Sequence, residues 1–223
     1  MSELKNQISQ FIDTNAKVYQ DISLAIHAKP EVSDFEYFAS QTLSEQLKKE
    51  GFEIELPAAG HRTGFAATYK SNKPGPTVVF LAEYDALAGL GHGCGHNVFG
   101  ATSSLAGAAL KSVVDQIGGE VRVYGTPGEE GGQNGSAKGS FVKKGYLKDV
   151  DFAVLSHAHY DHANGMGKFF EINEKAPFDL QEGCGENCYF KKGFIRKYIG
   201  IPKGITKKYQ DRIKYVSGVY TVA

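Results

Sequence analysis

The chain opens with apolar residues at three- and four-residue steps: Leu4, Ile8, Phe11, Ile12, Val18, Ile22 and Ile26. That period predicts a helix over 3–28 that stops before Pro30. Ser33 and Asp34 offer caps for a second helix running through Lys49 and ended by Gly51. Residues 52–56 and 63–69 read as strands. Thr77-Val78-Val79-Phe80-Leu81 is a short apolar run, the pattern of a strand buried on both faces. A helix rich in Ala, Ser and Gly follows over 97–116. Then come a strand at 120–124, a loop at 125–134, a helix to about Lys144, and a strand at 151–156. Strands alternating with helices predict an α/β fold, an αβα sandwich with a mainly parallel sheet. Chemistry in such folds collects at the carboxyl ends of the strands. Three residue-rich segments fall there: 83–97, 126–132 and 157–162.

A length of 223 residues allows one large domain or two small ones. With 41% hydrophobic and 22% charged residues, the chain is neither disordered, collagen-like nor a coiled coil. Fifteen of its 27 glycines lie between residues 86 and 145, which points to tight loops around a site. No run approaches the ~20 apolar residues needed to cross a bilayer. Met1–Thr14 is too polar for a signal peptide, and three cysteines make no disulfide framework. The expectation is a soluble, cytoplasmic protein with no membrane partner. Net charge is zero, yet residues 166–223 carry 11 Lys/Arg and 6 Asp/Glu, an excess of five positive charges. These basic residues follow no nucleic-acid motif, so no nucleic-acid partner is expected. The charge step also fits a join between segments of different origin.

Segment one runs Ala82-Glu83-Tyr84-Asp85-Ala86-Leu87, then His92-Gly93-Cys94-Gly95-His96-Asn97. A thiolate and an imidazole two residues apart among glycines can face one cation, and Zn²⁺ accepts that mixture. Read alone, the pair is as compatible with a buried free thiol beside a capping His. Segment two is Gly125-Thr126-Pro127-Gly128-Glu129-Glu130-Gly131-Gly132. Adjacent carboxylates at a strand end are costly unless one binds metal and the other moves protons.

Together the two segments resemble the M20 peptidase family, in its amidohydrolase branch, with Lys144-Gly145 and Asp149-Val150-Asp151 at the expected spacing beyond. The resemblance runs from near the start to about residue 157. It implies Cys94, His96, Glu130 and His157 as metal ligands and Glu129 as general base, with Asp85 beside it among the catalytic residues. Asn97 stands where many relatives have Asp. The implied cofactor is Zn²⁺, one or two ions, with Mn²⁺ possible. The implied substrates are small amides or peptides: N-acyl amino acids, short peptides or aminobenzoyl-glutamate-like compounds. The oligomeric state is left open.

Beyond Asp151 the pattern changes. Leu155-Ser156-His157-Ala158-His159-Tyr160-Asp161-His162 follows an apolar strand and resembles the metallo-β-lactamase superfamily. That resemblance implies His157 and His159 on one metal, and Asp161 and His162 on a second. The expected organisation is a truncated amidohydrolase domain over 1–150 and a metallo-β-lactamase-like fragment over 151–223, with the strand 151–157 compatible with both. No histidine follows His162. The M20 pattern has a later His ligand and an inserted dimerisation domain, so a zinc-binding product with little turnover is the competing expectation.

Overall fold

A computed structural model describes residues 3–154, 165–181, 189–192, 195–198 and 201–216. They form two compact units, the first ending at Phe141 and the second starting at Val142.

In the first unit, α1 (Glu3–Ala28) buries Tyr19, Ser23 and Ile26. Val18, expected on the buried face, is exposed. The next helix, α2, spans Tyr37–Lys49 and buries Ala39, Leu43 and Leu47 along one stripe. It starts later than Ser33–Asp34 predicts, because its first amides are capped from upstream. The Glu31 carboxylate accepts from the Phe38 and Ala39 N–H groups at 3.1 and 3.0 Å. The strands are β1 (Glu53–Glu55), β2 (Phe65–Lys70), β3 (Thr77–Ala82) and β4 (Glu120–Gly125), with α3 (His96–Ile117) between the last two. A short helix, α4 (Ala137–Lys143), follows.

The sheet runs in the order β1-β2-β4-β3. Only β3 and β4 are parallel, while β1/β2 and β2/β4 are antiparallel. The mainly parallel sheet expected from the alternation is therefore corrected to a mixed one. A βαβ crossover dictates the direction of its own two strands only, and β2 adds to β4 from the other side. The same order explains why β3 is half-buried rather than covered on both faces. Among the described residues it is an edge strand.

Helices α2 and α3 cover one face of this sheet and α1 packs on α3, through a core that includes Ile26, Leu43, Leu47, Phe65, Ala108, Val121 and Val123. On the opposite face Tyr124 stacks on Phe141 of α4, ring centres 4.9 Å apart. The small residues of α3 are what let it sit so close. A Cβ added at Gly107 would lie 2.3 Å from Val123 Cγ2.

The second unit holds a three-stranded parallel sheet, β5 (Ala153–Val154), β6 (Phe178–Gln181) and β9 (Ile213–Val216), in the order β5-β6-β9. A hairpin of β7 (Tyr189–Lys192) and β8 (Ile195–Tyr198), a helix α5 (Met166–Ile172) and a one-turn helix α6 (Ile205–Lys208) complete it. Its core gathers Met166, Phe169, Phe170, Phe178, Leu180 and Ile201. Asn173, fully buried, ties the chain together by donating to the Leu147 and Val150 carbonyls at 3.0 and 2.7 Å.

Replacing Gly107 by Ala gains about 1 kcal/mol of helix propensity but drives a methyl into Val123, an overpacking cost of typically ~1–3 kcal/mol. Urea unfolding should show Gly107→Ala less stable than wild type. Gly139→Ala, where the added Cβ meets nothing closer than 3.8 Å, should be neutral or stabilised. Equal midpoints for the two variants would contradict this packing.

Candidate functional site

Because β3 and β4 are parallel neighbours, their carboxyl ends open side by side. Glu83 and Asp85 leave β3 two residues apart, so both project to the same side of the extended chain. Glu129 and Glu130 leave β4 through the Thr126–Gly128 turn. His96 joins them from the first turn of α3, which starts at Gly95 in the left-handed region, φ 79°. A side chain at residue 95 would strain that turn and misdirect His96.

The ring of His96 lies at the centre. Its Nδ1 is 2.9 Å from Asp85 Oδ1 and 3.1 Å from the Asp85 carbonyl oxygen. Its Nε2 is 3.4 Å from Glu83 Oε2, 3.7 Å from Glu129 Oε2 and 4.0 Å from Glu130 Oε1. Ligand atoms of Glu83, His96 and Glu129 all lie within 4.8 Å of one another. The other carboxylate oxygens, Glu83 Oε1 and Glu129 Oε1, face the Lys138 ammonium from α4, paired closely with Glu83 and 3.6 Å from Glu129.

Asp85 is 1% exposed. Burial alone raises a carboxylate, yet hydrogen bonds from His96, the Glu130 N–H and Ser33 hold Asp85 below its ordinary value. For His96 the balance runs the other way: burial lowers it, and the bond to Asp85 with the surrounding carboxylates raises it overall. Glu129 is raised, first by burial, against the opposing charge of Lys138. The Cys94 thiol is exposed and pushed up to about 11, chiefly by its hydrogen bond with Glu130.

The fold thus brings together Asp85, Cys94, His96, Glu129 and Glu130, the candidates from the first two motifs. His157, His159, Asp161 and His162 lie outside the described residues. Two participants are additions. Glu83 carried a signal in its place two residues before Asp85 at the end of an apolar strand. Lys138 carried none, since one lysine in a basic helix has no distinguishing pattern.

No protein-family model matches the chain. Individual proteins do. A p-aminobenzoyl-glutamate hydrolase component of Escherichia coli is 35% identical over 176 residues, covering 70% of this chain and 36% of that protein. Thermostable carboxypeptidase 2 of Saccharolobus solfataricus is 31% identical over 182 residues, covering 74% of this chain and 44% of the carboxypeptidase. A solved structure assigned as an aminohydrolase, from methicillin-resistant Staphylococcus aureus, superposes with a TM-score of 0.59 at 28% identity over 67% of this chain and 41% of that one. A Bacillus subtilis dinuclear metal-binding peptidase of the M20 family superposes at 0.52 and 24% identity, covering 64% and 42% of the two chains, a likeness of fold. Over about 70% of its length the chain is similar to amidohydrolases and peptidases of the M20 kind. It spans about two-fifths of the length of the curated relatives it matches.

The M20-like motifs are held from below by one segment, residues 31–36. Ala86 N–H donates to the Glu31 carbonyl at 2.8 Å. Ser33 Oγ donates to Asp85 Oδ2 at 2.9 Å, and Asn134 N–H donates to Asp34 at 3.1 Å. Glu36, fully buried, accepts from the Gly128 N–H at 2.9 Å and from Thr63 Oγ1 at 2.8 Å. Glu36 therefore fixes the turn that delivers Glu129. Its pKa is raised, because burial outweighs those hydrogen bonds.

A raised folded pKa means that the stabilising contribution is complete below the unfolded value of 4.5 and is lost as pH rises through the folded value. Glu36→Gln keeps both partners, the amide accepting from Gly128 and donating to Thr63, without a charge to bury. Thermal unfolding should show wild type losing stability relative to Glu36→Gln as pH is raised from 4.5. Glu36→Ala leaves two buried groups unsatisfied, at roughly 1–3 kcal/mol each. A pH-independent gap between wild type and Glu36→Gln would rule this reading out.

Proposed function

We propose that the site is the metal-holding half of a metal-dependent amidohydrolase acting on small amides or peptides, such as N-acyl amino acids or aminobenzoyl-glutamate-like compounds. One observation carries the reading. Glu83, His96 and Glu129 converge at the carboxyl ends of the parallel pair, with a lysine ammonium already standing among their charges.

The donor set suits a divalent cation. Asp85 accepts the Nδ1 proton of His96, which turns the Nε2 lone pair toward the carboxylates, the usual support for a metal-binding imidazole. His96, Glu83 and Glu130 are the residues proposed to hold the ion, with the thiol of Cys94, hydrogen-bonded to Glu130, proposed as a further ligand. Zn²⁺ fits this mixture of sulfur, nitrogen and oxygen, and Mn²⁺ is the alternative. When bound, such an ion polarises an amide carbonyl and acidifies water.

The proposed protein chemistry centres on Glu129. Its side chain is 11% exposed, against 22% for Glu130. Burial raises its pKa, which improves a carboxylate as a proton acceptor near neutrality. It takes a proton from the attacking water and delivers it to the departing amine nitrogen, so the amide is exchanged for a carboxylate and an amine. Asp85 is a positioning residue in this scheme, since its oxygens are committed to His96, Ser33 and Glu130. The supporting relatives are amide and peptide hydrolases by name, among them the p-aminobenzoyl-glutamate hydrolase component and a carboxypeptidase.

Calorimetric titration with Zn²⁺ should give saturable binding that His96→Ala weakens at least about tenfold. Hydrolysis of p-aminobenzoyl-glutamate or an N-acyl amino acid should fall ~10²–10⁴-fold in Glu129→Gln, with Zn²⁺ still bound. Absence of Zn²⁺ binding, or full turnover in Glu129→Gln, would refute the proposal.

A further inference from the structure

The acidic cluster contains a cation of its own. Glu83 and Glu129 are 5% and 11% exposed, and each divides its two oxygens between partners. One oxygen faces His96 Nε2, at 3.4 and 3.7 Å, and the other faces Lys138 Nζ. Two carboxylates this close and this buried cannot both stay ionised without a positive charge beside them. Lys138, at the second position of α4 with its side chain 22% exposed, supplies it. Its flexible four-carbon stem gives it a route out to water.

We propose that Lys138 is the built-in counter-cation of the metal-free site, displaced when a divalent ion loads. The inference rests on the metal-binding reading above. The ammonium and the ion would compete for the Glu83 carboxylate, and a divalent charge beside an ammonium is repulsive in so enclosed a place. Loading therefore has to expel Lys138 from Glu83, and the free energy of that ion pair is subtracted from the affinity. The device keeps the empty site folded and sets a threshold for the metal concentration at which it fills. No bond is made or broken; one cation is exchanged for another.

Two readouts separate this role from a merely structural one, Zn²⁺ affinity by calorimetry and thermal unfolding with chelator or with saturating Zn²⁺. Lys138→Met removes the charge while keeping most of the stem, Lys138→Gln does so with a polar end, and Lys138→Arg retains the charge. Both neutral variants should bind Zn²⁺ at least tenfold more tightly than wild type, and Lys138→Arg should not. In chelator the neutral variants should unfold at lower temperature than wild type, and with saturating Zn²⁺ that difference should disappear. Equal or weaker Zn²⁺ binding in both neutral variants, with wild type binding normally, would overturn the counter-cation and leave the metal site standing. No binding by wild type or by any variant would remove the metal site and this inference with it.

Discussion

The Asp85 carboxylate is the interaction on which the site depends. It is buried, and a buried charge is tolerated only when its oxygens are met by donors. Its donors come from three separate stretches: Ser33 Oγ, the His96 ring and the Glu130 N–H, each at 2.9 Å. Hydrogen bonds to an ionised group are worth about 1.5–3 kcal/mol each. None of the three stretches can move without leaving part of that charge unpaired. The segment before α2, the start of α3 and the loop after β4 are thereby fixed to the end of β3.

Everything else at the site follows from that anchoring and from the parallel pairing of β3 with β4. Parallel pairing brings two strand ends to one edge, and Asp85 ties their loops to each other. Small residues remove the obstacles. Gly132, for instance, lies so near Asp34 that a Cβ there would sit 2.3 Å from its carboxylate. The result is an imidazole whose far nitrogen looks into three carboxylate oxygens, with an ammonium on the other oxygens of two of those carboxylates, an assembly whose charges are balanced only locally. Such concentrated, partly compensated charge suits a group that binds a cation and handles protons.

Much of this was legible in the sequence. Helical periodicity located α1 and α3 to within a residue or two, and the two glycine-flanked motifs named five residues that the fold brings together. What was not legible has physical causes. Strand direction leaves no mark in a strand's composition, so β2 joining antiparallel to β4 was invisible. The cap of α2 came from Glu31 rather than Ser33 or Asp34, because those residues are engaged with the site loops instead. The place of Glu83 two residues before Asp85 was visible, but not its partners Lys138 and His96, contacts that cross 55 and 13 positions of sequence. Glu36 reads as one more acid at a helix start, and only its burial reveals it as a strut.

The central claim is that Asp85 holds the His96 proton on Nδ1 and leaves Nε2 free. Free imidazole in water favours the opposite tautomer, so the distinction can be observed. The direct test is a long-range ¹H–¹⁵N correlation spectrum of the metal-free protein at about pH 9, well above the ordinary histidine pKa. His96 would be assigned by its disappearance in His96→Gln. The account predicts neutral His96 protonated at Nδ1, the nitrogen 2.9 Å from Asp85, rather than at Nε2, the nitrogen 3.4 Å from Glu83. Replacement of Asp85 by Asn should abolish that preference. A His96 protonated at Nε2 in the wild-type protein would contradict it.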